Sequence, residues 1–89
     1  MNPVARLRWS QGGELEIAAL DADRIRLWSE VAAAPGSRLD ATLPSGTPMR
    51  LKVQRCRRAE AGFTLEGRLI DMTREARAEI LGLLPGVPE

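Results

Sequence analysis

The sequence of 89 residues contains no histidine. Histidine is the commonest general base near neutral pH and the commonest metal ligand, so its absence argues against most acid–base and zinc enzymes. The single cysteine, Cys56, excludes an internal disulfide and a zinc site built from several cysteines. The chain also lacks a serine-nucleophile motif, a glycine-rich phosphate loop and a spacing typical of metal ligands. We therefore expect a protein that is not an enzyme, binds no metal and needs no cofactor.

Long apolar segments and strong net charge are also missing. No apolar run approaches the ~20 residues that a membrane helix requires. The N-terminus lacks a basic segment followed by an apolar one, which predicts that there is no secretion signal. The formal net charge is only +1, so no strong overall field attracts nucleic acid or a membrane surface. These features predict one small cytoplasmic domain that does not insert into a membrane.

Alternation of apolar and polar residues indicates strands through most of the chain. It runs over residues 49–54 and 63–70, and the polar segment 58–62 between them ends in a glycine, as a hairpin connection does. Residues 14–20, 24–28 and 38–43 alternate in the same way. In the first of these we expect Leu15, Ile17 and Ala19 to share the buried face.

The period changes after Asp71. Residues 76, 80, 83 and 84 are apolar and fall on one stripe of a helix. Thr73 is the expected N-cap, and Glu75 lies in the first turn, where the helix dipole favours an acidic residue. Leu81 lies off the stripe and could support a homodimer contact.

Short strands separated by turn signals favour a closed barrel over an open sheet, because closure hides the strand edges. The predicted fold is therefore mainly β: a small six-stranded antiparallel barrel with one C-terminal α-helix. We expect residues 1–13 to form an N-terminal arm, with Trp9 packing it onto the barrel. Residues 14–84 then form the barrel and helix, and residues 85–89 a short tail.

Four segments of the chain resemble the PilZ family of bacterial domains. They are Pro35-Gly36-Ser37-Arg38-Leu39, Val53-Gln54-Arg55, the glycine-containing strand 62–69 and the closing helix 71–84. The resemblance covers roughly residues 14–84 and implies a six-stranded barrel with a C-terminal helix. It also implies a role in cyclic di-GMP signalling.

Typical PilZ domains bind the dinucleotide through an Arg-x-x-x-Arg arm and an Asp/Asn-x-Ser-x-x-Gly turn, and this sequence departs from both. Arg6 and Arg8 are two residues apart rather than four. Neither register of the turn motif keeps its serine or glycine. Asp21 and Arg24 replace them in one register, and Asp23 and Arg26 replace them in the other. Each lost charge-assisted hydrogen bond costs about 1.5–3 kcal/mol, so two losses would weaken binding about 10²- to 10⁴-fold. We therefore expect that cyclic di-GMP is not bound in the usual way.

The function we predict is a non-catalytic regulatory or adaptor domain in bacterial cyclic di-GMP-related signalling, whose partner is an unidentified signalling or motility protein. One alternative is a divergent cyclic di-GMP receptor. The candidate ligand-binding residues are Arg6, Arg8, Asp21, Arg24 and Arg26. The candidate interface residues are Arg26 and Trp28, which alternation places on one outward face. The pattern leaves open whether Trp28 is exposed there or covered by another segment.

The five basic residues within 50–58 support a second alternative, a small-barrel nucleic-acid-binding protein. A solvated outer strand face is the favoured interpretation, because aromatic residues that could stack on bases are scarce. Turn chemistry explains Asp21 and Asp23 better than a metal site does. Cys56 is expected to be a small, buried strand residue, although Arg55 and Arg57 would activate an exposed thiol.

Overall fold

The computed structural model describes residues 6–84. These residues form six strands and one helix. The elements are β1 (Arg6–Arg8), β2 (Glu14–Asp21), β3 (Arg24–Ser29), β4 (Arg38–Thr42), β5 (Pro48–Ala59), β6 (Gly62–Ile70) and α1 (Arg74–Leu83). Residues 6–8 of the predicted arm are therefore a strand. The predicted tail, residues 85–89, lies outside the described residues, as do residues 1–5 of the arm.

All six strands belong to one antiparallel sheet in the order β1-β2-β3-β6-β5-β4. The two outer strands of this order approach each other through a bridge between Trp9 and Ala41. The backbone N–H of Ser10 also donates to the carbonyl oxygen of Asp40 at 2.7 Å. The sheet is thus a nearly closed barrel, and the predicted fold class is confirmed.

Inward-facing side chains from every strand fill the barrel. Leu15, Leu51 and Leu65 are fully buried, and Trp9 joins this core from the segment after β1. The expected role of Trp9, packing the start of the chain onto the barrel, is confirmed. The apolar side chains needed for the core come from alternate positions, so the outer face keeps the charged ones.

Helix α1 covers one end of the barrel. Thr73 is its N-cap, as predicted, and its side-chain oxygen accepts a hydrogen bond from the backbone N–H of Ala76 at 3.0 Å. Ala76 and Ile80 are buried against the core. Glu79 accepts a hydrogen bond from the backbone N–H of Ser45 in the β4–β5 turn, at 2.9 Å. The helix is therefore attached to the barrel by both apolar and polar contacts.

Two β-bulges interrupt the regular pairing and correct part of the predicted pattern. In β2, Ile17 lies opposite Leu27, but Ala19 lies opposite Arg26, so Ala18 is the extra residue. Because a bulge shifts the facing of every later residue, Leu20 rather than Ala19 packs against the core. The expectation that Ala19 shares the buried face is wrong.

The second bulge is in β5, between Val53 and Arg55, and leaves Gln54 as the extra residue. The connection from β5 to β6 is also shorter than the predicted segment 58–62. Ala59 pairs with Gly62, so only two residues form the turn. No helix within residues 6–84 is long and apolar enough to cross a membrane.

Candidate functional site

Three of the predicted ligand-binding residues line one cleft on the outside of the barrel. Asp21 ends β2, Arg24 begins β3 directly opposite it, and Arg26 follows two residues later. The cleft has a volume of about 310 Å³. Its other lining residues are Ala19, Ile25, Gln54, Glu66 and Gly67.

The two bulges shape this cleft. Arg26 of β3 lies opposite Glu66 of β6, and one bulge lies on each side of this pair. Ala18 is the extra residue on the β2 side and Gln54 on the β5 side. A bulge bends its strand and increases the local twist, so two bulges at one level open a depression in the outer face. Sequence reasoning missed Gln54 and Glu66, because it placed no bulge in β5.

The cleft carries charges of both signs. Asp21 and Glu66 supply carboxylates, and Arg24 and Arg26 supply guanidinium groups. A phosphodiester placed here would contact the arginines but would be repelled by both carboxylates. The arrangement therefore suits a ligand with both positive and negative groups, such as a peptide segment, better than a dinucleotide with two phosphates.

The other two predicted ligand residues do not line the cleft. Arg6 lies on β1, where its Nε donates to Glu16 at 2.7 Å and its Nη1 donates to Glu14 at 3.1 Å. The hydrogen bond to Glu16, and then that to Glu14, raises the pKa of Arg6 above its ordinary value. Arg8 lies 4.0 Å from the same Glu14. Intramolecular carboxylates thus occupy the place that a phosphate would take at these arginines.

Trp28 lies on the outer face of β3, between Glu16 of β2 and Thr64 of β6. It is half-buried, so both readings left open by the sequence hold in part. Its indole N–H donates to the carbonyl oxygen of Ala61 at 2.6 Å. The guanidinium carbon of Arg6 lies 5.5 Å from the ring centroid, a cation–π distance. The ring is therefore held in one orientation with part of its surface in solvent.

Arg26 is exposed two residues before Trp28 and points to the same outer face. Same-face neighbours on a strand are about 6.8 Å apart. The two predicted interface residues therefore lie side by side, and Arg26 also lines the cleft. The interface candidates and three ligand candidates thus form one continuous surface on β2 and β3.

The five basic residues of segment 50–58 lie along β5, and carboxylates of neighbouring strands pair with some of them. Arg50 donates to Asp40 at 2.9 Å, and this hydrogen bond raises the pKa of Arg50 above its ordinary value. Arg55 lies 3.9 Å from Glu66. Two of the five cations are therefore paired within the chain, which weakens the nucleic-acid interpretation.

The remaining candidates from the sequence are a metal site at Asp21 and Asp23 and a reactive thiol at Cys56. Within residues 6–84, no group of three or more His, Cys, Asp or Glu side chains could hold a metal ion. Asp21 precedes the two-residue β2–β3 turn and Asp23 is its second residue, and Asp23 accepts a hydrogen bond from Arg68 at 2.7 Å. Cys56 is half-buried and packs against the core, so it is less enclosed than predicted.

No protein-family model matches the chain, and no curated protein or solved structure matches it either. Membership of the PilZ family therefore stays a prediction made from residue patterns.

Proposed function

We propose that this chain is a non-catalytic, PilZ-like regulatory or adaptor domain that works in the bacterial cytoplasm by binding another protein. The partner would be a signalling or motility protein in a cyclic di-GMP-related process. The observation that carries the proposal is Trp28, a half-buried tryptophan held by Ala61 and Arg6 beside the exposed Arg26. Tryptophan and arginine are the residues most enriched among energetically dominant interface positions.

The fixed orientation of Trp28 matters because an anchor that is already ordered loses little side-chain entropy on binding. The hydrogen bond to Ala61 satisfies the indole N–H before any partner arrives. A partner therefore needs to cover only the exposed part of the ring and to satisfy Arg26. The mixed charges of the adjoining cleft would then select the partner's polar groups.

The test is recovery of a partner from a bacterial lysate on the immobilised full chain. We expect a specific protein to be retained by the wild type and lost with the double variant Trp28→Ala, Arg26→Ala. Arg74→Ala is the control, because it removes an exposed cation from α1, which contributes no residue to this surface. Circular dichroism would verify that each variant is folded. Equal recovery by the double variant and the wild type would contradict the proposal.

Binding of cyclic di-GMP in the cleft is the second candidate function. It is supported by one observation, the convergence of Asp21, Arg24 and Arg26 on a space of about 310 Å³. Calorimetric titration with the dinucleotide separates the two candidates. We expect no low-micromolar isotherm, because Arg6 is bound to carboxylates and the cleft holds two more. A low-micromolar isotherm that Arg24→Ala abolishes would establish a divergent receptor instead.

A further inference from the structure

Four cations lie in one line across the outer face of the barrel. Arg24 of β3 pairs with Arg68 of β6, Arg68 pairs with Lys52 of β5, and Lys52 pairs with Arg38 of β4. All four are exposed. We call Arg24, Arg68, Lys52 and Arg38 the cation row. They come from four separate segments of the sequence, so the row is a product of the fold.

The cation row is an exception to the charge pattern of the barrel. Where other charged residues face each other across strands, their signs are opposite. These pairs are Arg6–Glu16, Arg8–Glu14, Asp21–Arg24, Arg26–Glu66, Arg55–Glu66 and Asp40–Arg50. Like charges directly opposite each other destabilise a sheet. Three successive like-charged contacts therefore weaken the sheet, which an anionic partner would offset.

The two ends of the row differ. Asp23 accepts a hydrogen bond from Arg68 at 2.7 Å, and Asp21 lies opposite Arg24, so carboxylates moderate this end. Within the described part of the chain, Arg24, Lys52 and Arg38 form no ion pair. Lys52 and Arg38 also have no carboxylate directly opposite them in the strand pairing, so they form the less compensated end of the row.

The geometry points to an extended acidic peptide as the occupant. Adjacent strands lie about 4.8 Å apart, so the row is about 14 Å long. Side chains on one face of an extended peptide repeat every ~6.7 Å, so three successive same-face carboxylates span about the same length. Three of the four cations are arginines, whose planar forks match carboxylates.

Single-stranded nucleic acid fits less well, because it needs aromatic side chains on which bases stack. Trp28 is four residues from Arg24 along β3, about 13 Å away. We therefore propose that the cation row docks an acidic, extended segment of the protein partner. This inference rests on the proposed function and names a second contact surface for it.

The test is fluorescence anisotropy with a labelled peptide of alternating glutamate and serine, about eight residues long so that it exceeds the row. A glutamine–serine peptide is the uncharged probe, and an oligothymidine of similar length tests nucleic acid. Titrations begin at about 10 mM salt, where exposed charges are weakly screened. We expect the full chain to bind the acidic peptide, with an affinity that falls as salt rises, and to bind neither other probe as tightly.

The decisive variant is Arg38→Ala, Lys52→Ala, which we expect to raise the Kd about 3- to 10-fold through the loss of two exposed ion pairs. The matched control is Arg57→Ala, Arg58→Ala, which removes the same net charge from two exposed residues outside the row. Its Kd should stay near the wild-type value. Equal weakening by both double variants would reduce the effect to net charge and overturn the proposal. So would tighter binding of oligothymidine, or no binding at low salt.

The lysate experiment and the anisotropy experiment fail independently. If the Trp28 and Arg26 surface retains a partner but the acidic peptide does not bind, only the cation row is rejected. If the acidic peptide binds as described but the double variant Trp28→Ala, Arg26→Ala leaves partner recovery unchanged, the Trp28 surface is rejected and the row stands.

Discussion

The indole N–H of Trp28 donates a hydrogen bond to the carbonyl oxygen of Ala61, with 2.6 Å between the heavy atoms. Ala61 lies in the two-residue turn between β5 and β6, and the indole reaches it across the start of β6. The turn thereby fixes the tryptophan on which the proposed function depends. This contact is available only because the residue after Ala61 is a glycine.

We expect Gly62→Ala to destabilise the protein by about 3 kcal/mol, partly through backbone strain and partly through steric overlap. Gly62 has a φ of +126°, which L side chains rarely adopt. A Cβ there would lie 2.6 Å from both the carbonyl oxygen of Ser29 and Nε1 of Trp28. The change in free energy of unfolding is measured by urea denaturation followed by circular dichroism.

Gly46→Ala is the control for this prediction. Gly46 also has a positive φ, +96°, but a Cβ there would have no neighbour within 4 Å. Only the backbone contribution should remain, about 1 kcal/mol. If the two variants lost equal stability, the overlap with Trp28 would be negligible and the indole would not be held as tightly as described.

Much of the barrel follows from alternation, but the cleft does not. Leu65, Gly67 and Leu69 face inward as predicted, since a strand with one buried face must place apolar residues at every second position. The bulges break this rule. Their signal is a spacing of three between successive inward residues, from Ile17 to Leu20 and from Val53 to Cys56.

A spacing of three does not by itself identify a bulge, because a strand that ends gives the same local pattern. The difference depends on whether a neighbouring strand continues to pair beyond that point. Here β3 and β6 do continue, opposite Ala19 and Arg55 respectively. The cleft and the cation row both depend on register between segments that are distant in sequence. The sequence could therefore suggest Asp21, Arg24 and Arg26, but not Gln54, Glu66 or Arg68, which the fold brings beside them.

Gly67 provides a second steric test, inside the barrel wall. It is buried in β6, and a Cβ there would overlap the carbonyl oxygen of Lys52 and the side chain of Leu51. We expect Gly67→Ala to reduce the free energy of unfolding by about 2–3 kcal/mol, the range typical of overpacking.

The comparison for Gly67 is Gly82→Ala in α1. Gly82 has open space around its Cβ position and lies within the helix. Alanine is the better helix former, so we expect a gain of about 0.5–1 kcal/mol. The two substitutions add the same methyl group and should shift the urea midpoint in opposite directions. A loss of stability in both would mean that the packing described around α1 is wrong.

Trp9 and Ser29 form the one polar pair that we expect to matter most for stability. Nε1 of Trp9 donates to Oγ of Ser29 at 2.9 Å, and both residues are buried. The serine hydroxyl also donates to the carbonyl oxygen of Val31 at 2.7 Å, and its oxygen accepts from the backbone N–H of Val31 at 3.1 Å. Ser29→Ala leaves the buried indole N–H without an acceptor, so we expect a loss of about 2 kcal/mol in the free energy of unfolding.

A double-mutant cycle with Trp9→Phe separates the Trp9–Ser29 hydrogen bond from the hydrogen bonds between Ser29 and Val31. Phenylalanine has no N–H to satisfy, so Ser29→Ala should cost about 1 kcal/mol less in the Trp9→Phe background than in the wild type. The residual cost then reports the two hydrogen bonds between Ser29 and Val31 and the lost packing. The bridge from Trp9 to Ala41 joins backbone groups, so Trp9→Phe should leave the closure of the barrel intact. Equal effects of Ser29→Ala in both backgrounds would mean that the indole N–H gains no stability from Ser29.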